Sequence, residues 1–455
     1  MVTEVMVPVS RISLDGTELV GSALTTAKRL RTRSAHIAVL GLGYAGLPLA
    51  VEFAKAGFRV TGLDVNGERV EVVNRGQSPV SDVADADVAM AVDEGRLTAS
   101  TRFDVLDDVD CALVCVPTPL DSDRGFDVRH VKAASESIAA HLHPGMLVIL
   151  QSTSSPGTTR QVMLPVLERS SDLRVGEDFF VAFAPERIDP GNGHYKVHNT
   201  PKVLGGITKQ CTELAALLFA PIVQSVQKLS CPEVAEMTKL VENTFRFVNI
   251  GLVNEIAVIC DHVGINVWEV IDAASTKPFA FMPHYPGPGV GGECIPVVPF
   301  FLHPLARDCG LEADLIEAAG RINDRMPKFV VEKLESLLAE RGASLLETYG
   351  LILGVAYKQD SSDVRESPAL RVIELLLDRG ARFSFYDPYD PRVRCKKGVL
   401  QSITEEELGR SRFDYALLLT PHSVFNYADI GKHVGFVLDT RNRFSSPNGT
   451  VIVKL

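Results

Sequence analysis

The stretch HIAVLGLGYAGLPLAVEFAKAGFRVTGLDVN, residues 36–66, decides the fold of this chain. IAVLGL is a short apolar run typical of a strand, and GYAGLPLAVEFAKAG carries apolar residues at helical spacing up to Gly57, a residue suited to a C-cap. FRVTGLDV is a second strand-like run. The order strand, glycine turn, helix, strand predicts a βαβ unit within a parallel sheet.

The glycine turn GLGYAG contains Gly41, Gly43 and Gly46. A lone GxGxxG is a weak signal and also fits an ordinary glycine turn, but here it follows a strand and opens a helix, and Asp64 ends the next strand. The glycines would let the backbone approach a pyrophosphate at the helix N-terminus, and Asp64 would bond a ribose hydroxyl. Val and Asn after Asp64 favour NAD over NADP, although Arg69 follows closely.

The same alternation of strands and helices continues along the chain. CALVCVP, MLVIL and FFVAFAP are strand-like, residues 231–265 form one helical pattern, and strand and helix signals return from about Gly350. These patterns predict an α/β protein with two Rossmann-like doubly wound domains joined by a central long-helix domain. The expected parts are an N-terminal extension (1–34, partly disordered or packed against another element), an NAD-binding domain (35–225), a central domain (226–330) and a C-terminal domain (331–455).

Composition limits the possible functions. The 455 residues are 46% hydrophobic and 23% charged, which is typical of a globular protein of several domains. A net charge of −11 argues against a general nucleic-acid binder. No run reaches the ~20 apolar residues that span a bilayer, and no signal peptide is visible, so we expect a cytoplasmic protein without a membrane partner. The scattered cysteines predict neither a disulfide framework nor a metal site.

Polar residues follow several of the predicted strands. The motifs CVPTPLD (115–121) and QSTSSPGTT (151–159) should lie at the carboxyl ends of the sheet, where such folds bind ligands, although turn chemistry explains them equally well. Glu186, in FAPERIDPG, follows another run that looks like a buried strand. Lys239 and Asn243 lie four apart on the predicted long helix and share one face. They could polarise a carbonyl oxygen, or belong to a solvated surface or a capping network.

Cys294 lies in GPGVGGECIPVVPFFL, residues 287–302. This is either a turn-rich loop with a structural cysteine or a nucleophile that a substrate approaches closely past the glycines. A thiolate with a lowered pKa is a good nucleophile toward an aldehyde.

Together these motifs resemble the UDP-glucose/GDP-mannose dehydrogenase family of nucleotide-sugar 6-dehydrogenases, from His36 to about Arg443. Residues 276–296 look closest to the UDP-N-acetylhexosamine branch, and residues 353–370 match the family's C-terminal signature. The resemblance implies oxidation of a sugar C6 alcohol to a carboxylate in two NAD-dependent hydride transfers, through a cysteine thiohemiacetal and a thioester that water hydrolyses. The substrate would be UDP- or dTDP-glucose or a UDP-N-acetylhexosamine.

The resemblance also implies residue roles and partners. Cys294 would be the nucleophile, Lys239 and Asn243 would steady the oxyanion, Glu186 would be the acid/base of hydrolysis, and Thr153 would help to hold a water. The cofactor contacts would be Gly41, Gly43, Gly46, Asp64, Pro117 and Thr118, and the nucleotide-sugar contacts Lys239, Asn243, Gly291, Lys358 and Arg365. The long helix suggests a homodimer or a larger assembly.

Two positions of the cysteine loop depart from the family pattern. The family usually has His or Ser just before the cysteine and Asp four positions after it, where this chain has Glu293 and Val298. Glu293 could supply the missing carboxylate, the enzyme could be slower, or the protein could have drifted to a partial or regulatory role. A dehydrogenase impaired in hydrolysis, a non-catalytic binder of nucleotide sugar and NAD, and an alcohol dehydrogenase that stops at the aldehyde remain alternatives. Full oxidation, binding alone and arrest at the aldehyde would give two, zero and one NADH per sugar.

Overall fold

Two mainly parallel sheets organise the chain, one in each of two compact units, Met1–Val241 and Glu242–Leu455. The computed structural model describes residues 19–80, 83–120, 125–169, 171–188, 194–445 and 449–455. The two units are considered one at a time below. No helix in these ranges is long and apolar enough to cross a membrane.

The sheet of the first unit has eight strands within the described residues. These are β1 (His36–Leu40), β2 (Arg59–Leu63), β3 (Leu97–Ser100), β4 (Cys111–Val114), β5 (Leu147–Leu150), β6 (Phe180–Phe183), β7 (Lys202–Gly206) and β8 (Val226–Lys228). Their order is β3-β2-β1-β4-β5-β6-β7-β8, so the first six positions have the strand order of a Rossmann fold. The pairing of β6 with β7 is antiparallel, and the other ladders of this sheet are parallel across the described strands.

Helices cover the edges and faces of this sheet. They are α1 (Ser22–Arg31), α2 (Gly46–Lys55), α3 (Gly67–Asn74), α4 (Asp85–Asp93), α5 (Arg129–Ala139), α6 (Leu164–Arg169) and α7 (Lys209–Phe219). The helix α1 lies inside the segment expected to be an extension, and its Ala23, Ala27 and Leu30 are buried in the same core as β1. Residues 1–18 of that segment lie outside the described residues.

A 32-residue helix, α8 (Pro232–Val263), follows β8 and contains the point at which the two units divide. The single long helix that the sequence predicts over residues 231–265 is therefore confirmed. Gly251 does not interrupt it. A Cβ at Gly251 would lie 3.0 Å from the Cβ of Ala319, so this glycine allows a neighbouring helix of the second unit to approach closely.

The second unit contains the smaller sheet and a hairpin. Its strands are β9 (Tyr349–Leu353), β10 (Arg382–Tyr386), β11 (Arg392–Cys395), β12 (Gly398–Gln401), β13 (Phe413–Leu418), β14 (Val434–Asp439) and β15 (Val451–Lys454), and its helices are α9 (Val267–Ser275), α10 (Leu302–Asp308), α11 (Asp314–Ala339), α12 (Pro368–Asp378), α13 (Glu405–Arg410) and α14 (Tyr427–Ile430). The sheet order β10-β9-β13-β14-β15 is that of a flavodoxin-like sheet, in which ligands bind where the order reverses, here between β9 and β13. The predicted fold class, with two doubly wound sheets and a long helix, is confirmed.

Candidate active site

The glycines of the turn after β1 differ in how much space surrounds them. Gly41 has φ +97°, and a Cβ there would lie 2.5 Å from the carbonyl oxygen of Cys115. A Cβ at Gly46 would lie 1.8 Å from the Gly41 carbonyl oxygen. A Cβ at Gly43, in contrast, would meet no described atom within 4 Å. Packing therefore explains Gly41 and Gly46, whereas open space at Gly43 fits the close approach of a phosphate group.

Asp64 closes this turn at the carboxyl end of β2. It is 5% exposed, and its carboxylate accepts hydrogen bonds from the backbone N–H groups of Leu42 (2.8 Å) and Asn66 (2.9 Å) and from the Arg69 guanidinium (3.0 Å). Burial acts to raise the pKa of Asp64, but these donors outweigh burial and the pKa is lowered. The carboxylate is thus an ionised acceptor beside the glycine turn, as a ribose hydroxyl requires.

The ends of β4 and β5 are tied together beside this turn. The Ser152 hydroxyl donates to the carbonyl oxygens of Val114 (3.2 Å) and Val116 (2.8 Å). Pro117 is exposed and Thr118 is partly exposed, so both predicted cofactor contacts are accessible within the first unit. Asp121, the last residue of the CVPTPLD motif, lies outside the described residues.

A buried carboxylate that sequence reasoning missed organises the segment of Thr153. Glu236, on α8 and fully buried, accepts hydrogen bonds from the backbone N–H groups of Gly157 (2.6 Å) and Thr159 (2.8 Å). The hydroxyls of Ser154 (3.4 Å) and Thr159 (2.7 Å) donate to it as well. Burial raises the pKa of Glu236 against the effect of these donors. The signal in the sequence was an acid three residues before Lys239, on the same helix.

Glu186 follows β6, and all four of its near neighbours belong to the first unit. One carboxylate oxygen accepts the backbone N–H groups of Arg187 (2.8 Å) and Ile188 (2.9 Å). The other accepts the Gln151 side-chain amide (3.0 Å) and lies 3.6 Å from the Lys202 ammonium. Lys202, on β7, was also missed by the sequence reasoning.

The cysteines near this cluster are structural. Burial raises the pKa of Cys115 to about 12, while Lys202 acts to lower it and Glu186 to raise it. Its thiol therefore stays protonated at neutral pH. None of the eight cysteines, all of which the structure describes, forms a disulfide, and the described residues form no cluster of His, Cys, Asp and Glu that could hold a metal ion.

Lys239 and Asn243 lie one turn apart on α8 and are 9% and 6% exposed. The alternative of a solvated surface pair is therefore wrong. The side-chain nitrogen of Asn243 is buried and makes no hydrogen bond with any described residue. A buried amide donor left without an acceptor is costly, and a substrate oxygen would satisfy it.

The loop of Cys294 is held by the second unit's own residues. Cys294 is exposed, and its carbonyl oxygen accepts the backbone N–H of Val298 (2.9 Å), so the two residues are one turn apart. Val298 is 3% exposed and begins a short 3₁₀ helix, Val298–Phe301. An apolar side chain therefore stands where the family has a carboxylate.

Packing explains the glycines of this loop. A Cβ at Gly287 would lie 2.4 Å from the Arg441 guanidinium, and a Cβ at Gly291 or Gly292 would lie 2.6 or 2.8 Å from atoms of the Tyr357 side chain. Room for a substrate is thus not needed to explain these glycines, and the role of Gly291 in substrate binding stays a prediction.

Glu293, considered above as a substitute for the missing carboxylate, forms an ion pair with Arg365. Its carboxylate lies 2.5 Å from the Arg365 guanidinium, which also bonds both carboxylate oxygens of Asp363. The side-chain hydrogen bond with Asp363 and the charge of Glu293 raise the pKa of Arg365 despite burial. The Arg365 carbonyl accepts the backbone N–H of Gly292 (3.1 Å), so the pair anchors the cysteine loop. Lys358, the other predicted nucleotide contact here, is partly buried after β9.

The carboxyl edge of the smaller sheet repeats the construction around Asp64. Asp387, after β10, accepts the backbone N–H of Val355 (2.8 Å), as Asp64 accepts that of Leu42. The side chain that bonds Asp387 differs from the Arg69 guanidinium that bonds Asp64. The buried His422 accepts the Asp360 N–H at Nδ1 (3.0 Å), so Nε2 carries the proton and donates to Asp387 (3.1 Å).

Comparisons with known proteins agree along most of the chain. Three models of the UDP-glucose/GDP-mannose dehydrogenase family match it: the NAD binding domain at residues 35–223, the central domain at 233–325 and the UDP binding domain at 351–446. The chain is 36% identical over 421 residues to a UDP-N-acetyl-D-mannosamine dehydrogenase of Pyrococcus horikoshii, covering 90% of this chain and 96% of that one. It is 36% identical to a UDP-N-acetyl-D-glucosamine 6-dehydrogenase of Pseudomonas aeruginosa, covering 78% and 82%.

Solved structures give the same result. The UDP-D-ManNAc dehydrogenase from Pyrococcus horikoshii matches with a TM-score of 0.83 and 34% identity, covering 92% of this chain and 98% of that one. The UDP-N-acetyl-mannosamine dehydrogenase Cap5O from Staphylococcus aureus matches with a TM-score of 0.80 and 30% identity over the same shares.

Proposed function

Because the chain belongs to the UDP-glucose/GDP-mannose dehydrogenase family, we propose that it oxidises the C6 alcohol of a nucleotide-diphospho-hexose fully to the carboxylate. It is an NAD-dependent nucleotide-sugar dehydrogenase, with an NAD-binding and a UDP-binding domain. The observation that carries the proposal of catalysis is the buried pair Lys239 and Asn243, whose unsatisfied amide suits a developing oxyanion.

The chemistry proposed for the chain's residues follows the family resemblance. Gly41, Gly43, Gly46 and Asp64 would hold NAD, which would supply the hydride acceptor for both oxidations. The Cys294 thiolate adds to the aldehyde and forms a thiohemiacetal, while Lys239 and Asn243 hold the oxyanion. After the second oxidation, water attacks the resulting thioester and Glu186 takes a proton from that water. The C–S bond then breaks, which releases the carboxylate product and returns Cys294 to the thiolate. Thr153 holds the water in this scheme.

The sugar is proposed from the relatives. The proteins from Pyrococcus horikoshii and Pseudomonas aeruginosa are named for UDP-N-acetylmannosamine and UDP-N-acetylglucosamine. We therefore propose a UDP-N-acetylhexosamine as the first substrate to test, ahead of UDP- or dTDP-glucose. The homodimer is likewise a proposal, and the cytoplasmic location stays a prediction.

The test is a coupled assay with NAD and a panel of UDP- and dTDP-hexoses, in which NADH is counted and products are weighed. We expect two NADH and one uronate per sugar. Cys294→Ser should lower uronate release by at least about 10³-fold, because the nucleophile is lost. Cys309→Ser, at the other exposed thiol, is the control and should leave the rate unchanged. Binding without NADH would identify a non-catalytic binder, and one NADH per sugar would mean arrest at the aldehyde.

A second candidate, a dehydrogenase slow in hydrolysis, is favoured by the buried Val298 and by the engagement of Glu293 with Arg365. In that case the assay would give a burst of NADH and a mass adduct on Cys294. Val298→Asp should then raise steady uronate release by up to ~10²-fold, since it restores a proton-accepting group one turn from Cys294. Val298→Asn, of similar size but without a charge, should not.

A further inference from the structure

We propose that Lys202 is a positioning residue of the reaction, whose buried ammonium holds the Glu186 carboxylate in the orientation that hydrolysis requires. This inference rests on the proposed function, in which Glu186 accepts the proton of the water. Lys202 itself touches neither substrate nor cofactor in this scheme and acts through Glu186.

The antiparallel ladder gives the first reason. In the pairing of β6 with β7, Phe183 lies opposite Gly205 and Ala182 opposite Gly206. Continuing this register three residues past Phe183, and three residues back from Gly205, sets Glu186 opposite Lys202. A parallel β7 would not bring these two residues face to face. The antiparallel direction of β7 therefore brings the Lys202 ammonium next to the Glu186 carboxylate, which follows β6.

The contacts of Glu186 give the second reason. Backbone N–H groups of Arg187 and Ile188 hold one carboxylate oxygen, and the Gln151 amide and Lys202 hold the other. Lys202 is the cation of this set, and the Lys202–Glu186 separation is 3.6 Å. The backbone donors fix one carboxylate oxygen, and the ammonium together with the Gln151 amide fixes the direction of the other.

The surroundings of Lys202 give the third reason. Lys202 is 5% exposed, and its ammonium lies 4.8 Å from the centre of the Phe219 ring. Burial lowers the pKa of Lys202, the charge of Glu186 acts to raise it, and Lys239 acts to lower it. A buried ammonium is costly unless it is paired, so Lys202 and Glu186 depend on each other. If Lys202 served only the stability of β7, its ammonium would not have to lie beside the proposed acid/base Glu186.

A small cavity lies beside the Lys202–Glu186 pair. It has a volume of about 10 Å³ and is lined by Glu186, Arg187, Thr200, Lys202 and neighbouring apolar residues. The Thr200 hydroxyl is buried there and bonds no described residue. The volume is about that of one water, and the lining offers such a water several polar partners.

The experiment compares Lys202→Met with the wild type in rapid-mixing and steady-state assays on the nucleotide sugar that the wild type oxidises. Lys202→Met should keep the first-turnover burst of NADH but lower steady uronate release by about 10- to 100-fold, with a mass adduct accumulating on Cys294. Lys202→Arg should recover most of the rate.

The control is Lys228→Met, on the neighbouring strand β8, whose ammonium lies 2.9 Å from Glu213. It removes a similar ion pair of the same sheet and should leave both the burst of NADH and the steady release of uronate unchanged. If Lys202→Met matches the wild type in both readouts, or if it lowers the burst and the steady rate equally, Lys202 does not act through Glu186. Lys202→Gln replaces Lys202→Met should the latter fail to fold, with the same expectations. A wild type that yields no NADH with any sugar would overturn the proposed function itself, and this inference with it.

Discussion

Gly43 and Gly46 lie three residues apart in one turn, yet they lack side chains for different reasons. At Gly46 the Gly41 carbonyl leaves no room for a Cβ, and at Gly43 the described structure leaves open space. The fold therefore requires one glycine, and we expect the bound cofactor to require the other.

We expect Gly46→Ala to lower the free energy of unfolding by about 2–4 kcal/mol, because the new Cβ would overlap backbone. Gly43→Ala should change it by less than about 0.5 kcal/mol and weaken NAD binding by about tenfold or more. Urea denaturation and NAD titration of both variants measure these effects. Equal destabilisation by the two substitutions would contradict the distinction.

A pH-dependent effect is expected at Asp390, near the edge of the smaller sheet. Burial, reinforced by the charge of Asp387, raises the pKa of Asp390 to about 6. A carboxyl with a higher pKa in the folded than in the unfolded chain stabilises the fold at low pH. This contribution is fully present below the unfolded pKa of about 3.9 and is lost as the pH rises through the folded value.

The free energy of unfolding of Asp390→Asn, relative to that of the wild type, should therefore rise by about 1 kcal/mol from pH 5 to pH 8. This figure allows for solvent screening of a partly exposed group. Urea denaturation at the two pH values measures the gain. Asp429→Asn is the control, because the pKa of the exposed Asp429 is lowered by Lys432 and no such gain is expected. A difference between Asp390→Asn and wild type that is the same at both pH values would show that the ionisation of Asp390 does not matter.

Sequence could locate Lys239 and Asn243 because helical spacing alone sets them on one face. It could not locate Glu236 or Lys202. Glu236 bonds a segment 77 to 82 residues earlier in the chain. The position of Lys202 depends on the direction of β7, which no local pattern encodes. The burial of both is likewise a property of the packed chain.

At the scale of elements, α8 does more than present Lys239 and Asn243. Through Glu236 its first turns hold the backbone of the segment around Gly157, and so the neighbourhood of Thr153. The helix and that segment should therefore lose order together when the carboxylate is removed.

Glu236→Gln should lower the free energy of unfolding by about 2–4 kcal/mol, since it leaves buried N–H groups without a charged acceptor. Glu233→Gln, one turn earlier on α8, removes an accessible pair with Arg160 and should cost less than about 1 kcal/mol. Thermal or urea unfolding of both variants is the measurement. Hydrogen exchange at Gly157 and Thr159 should rise in Glu236→Gln alone, and comparable losses in the two variants would argue against a special role for Glu236.

The elements with strong local signals were predictable, namely the apolar strands and the long helix. Helix α11 was not predicted, and it contains Pro327, a residue that usually ends a helix. Helix α1 was not recognised within the basic sequence before β1, because its buried face consists of small residues such as Ala23 and Ala27. Tertiary packing decides such elements more than their own sequence does.

At the scale of the whole molecule, the chain leaves an apolar stripe uncovered along α8. The exposed apolar residues of this stripe are Val234, Met237, Val241, Phe245, Leu252, Ile259 and Val263. Their spacing of three, four and seven residues keeps them near one side of the helix. An exposed apolar stripe of this kind fits contact with a second copy of the chain.

Light scattering should therefore give about twice the chain mass of 49.4 kDa for the wild type. Leu252→Asp should shift the mass toward the monomer, because a charge in an apolar contact is costly. Leu315→Asp, at an exposed leucine outside α8, is the control and should not. A wild type that is monomeric at micromolar concentration would remove the dimer proposal.

The pairing of Asp387 with His422 has a consequence for binding stoichiometry. Each sheet has a carboxylate of this kind that is already bonded by a side chain of the chain itself, but Asp64 is bonded by the partly exposed Arg69 and Asp387 by the fully buried His422. A ribose hydroxyl could therefore share or replace the partner of Asp64 more easily than that of Asp387. Calorimetric titration should thus give one equivalent of NAD per polypeptide, and a second equivalent would show that the imidazole yields its place.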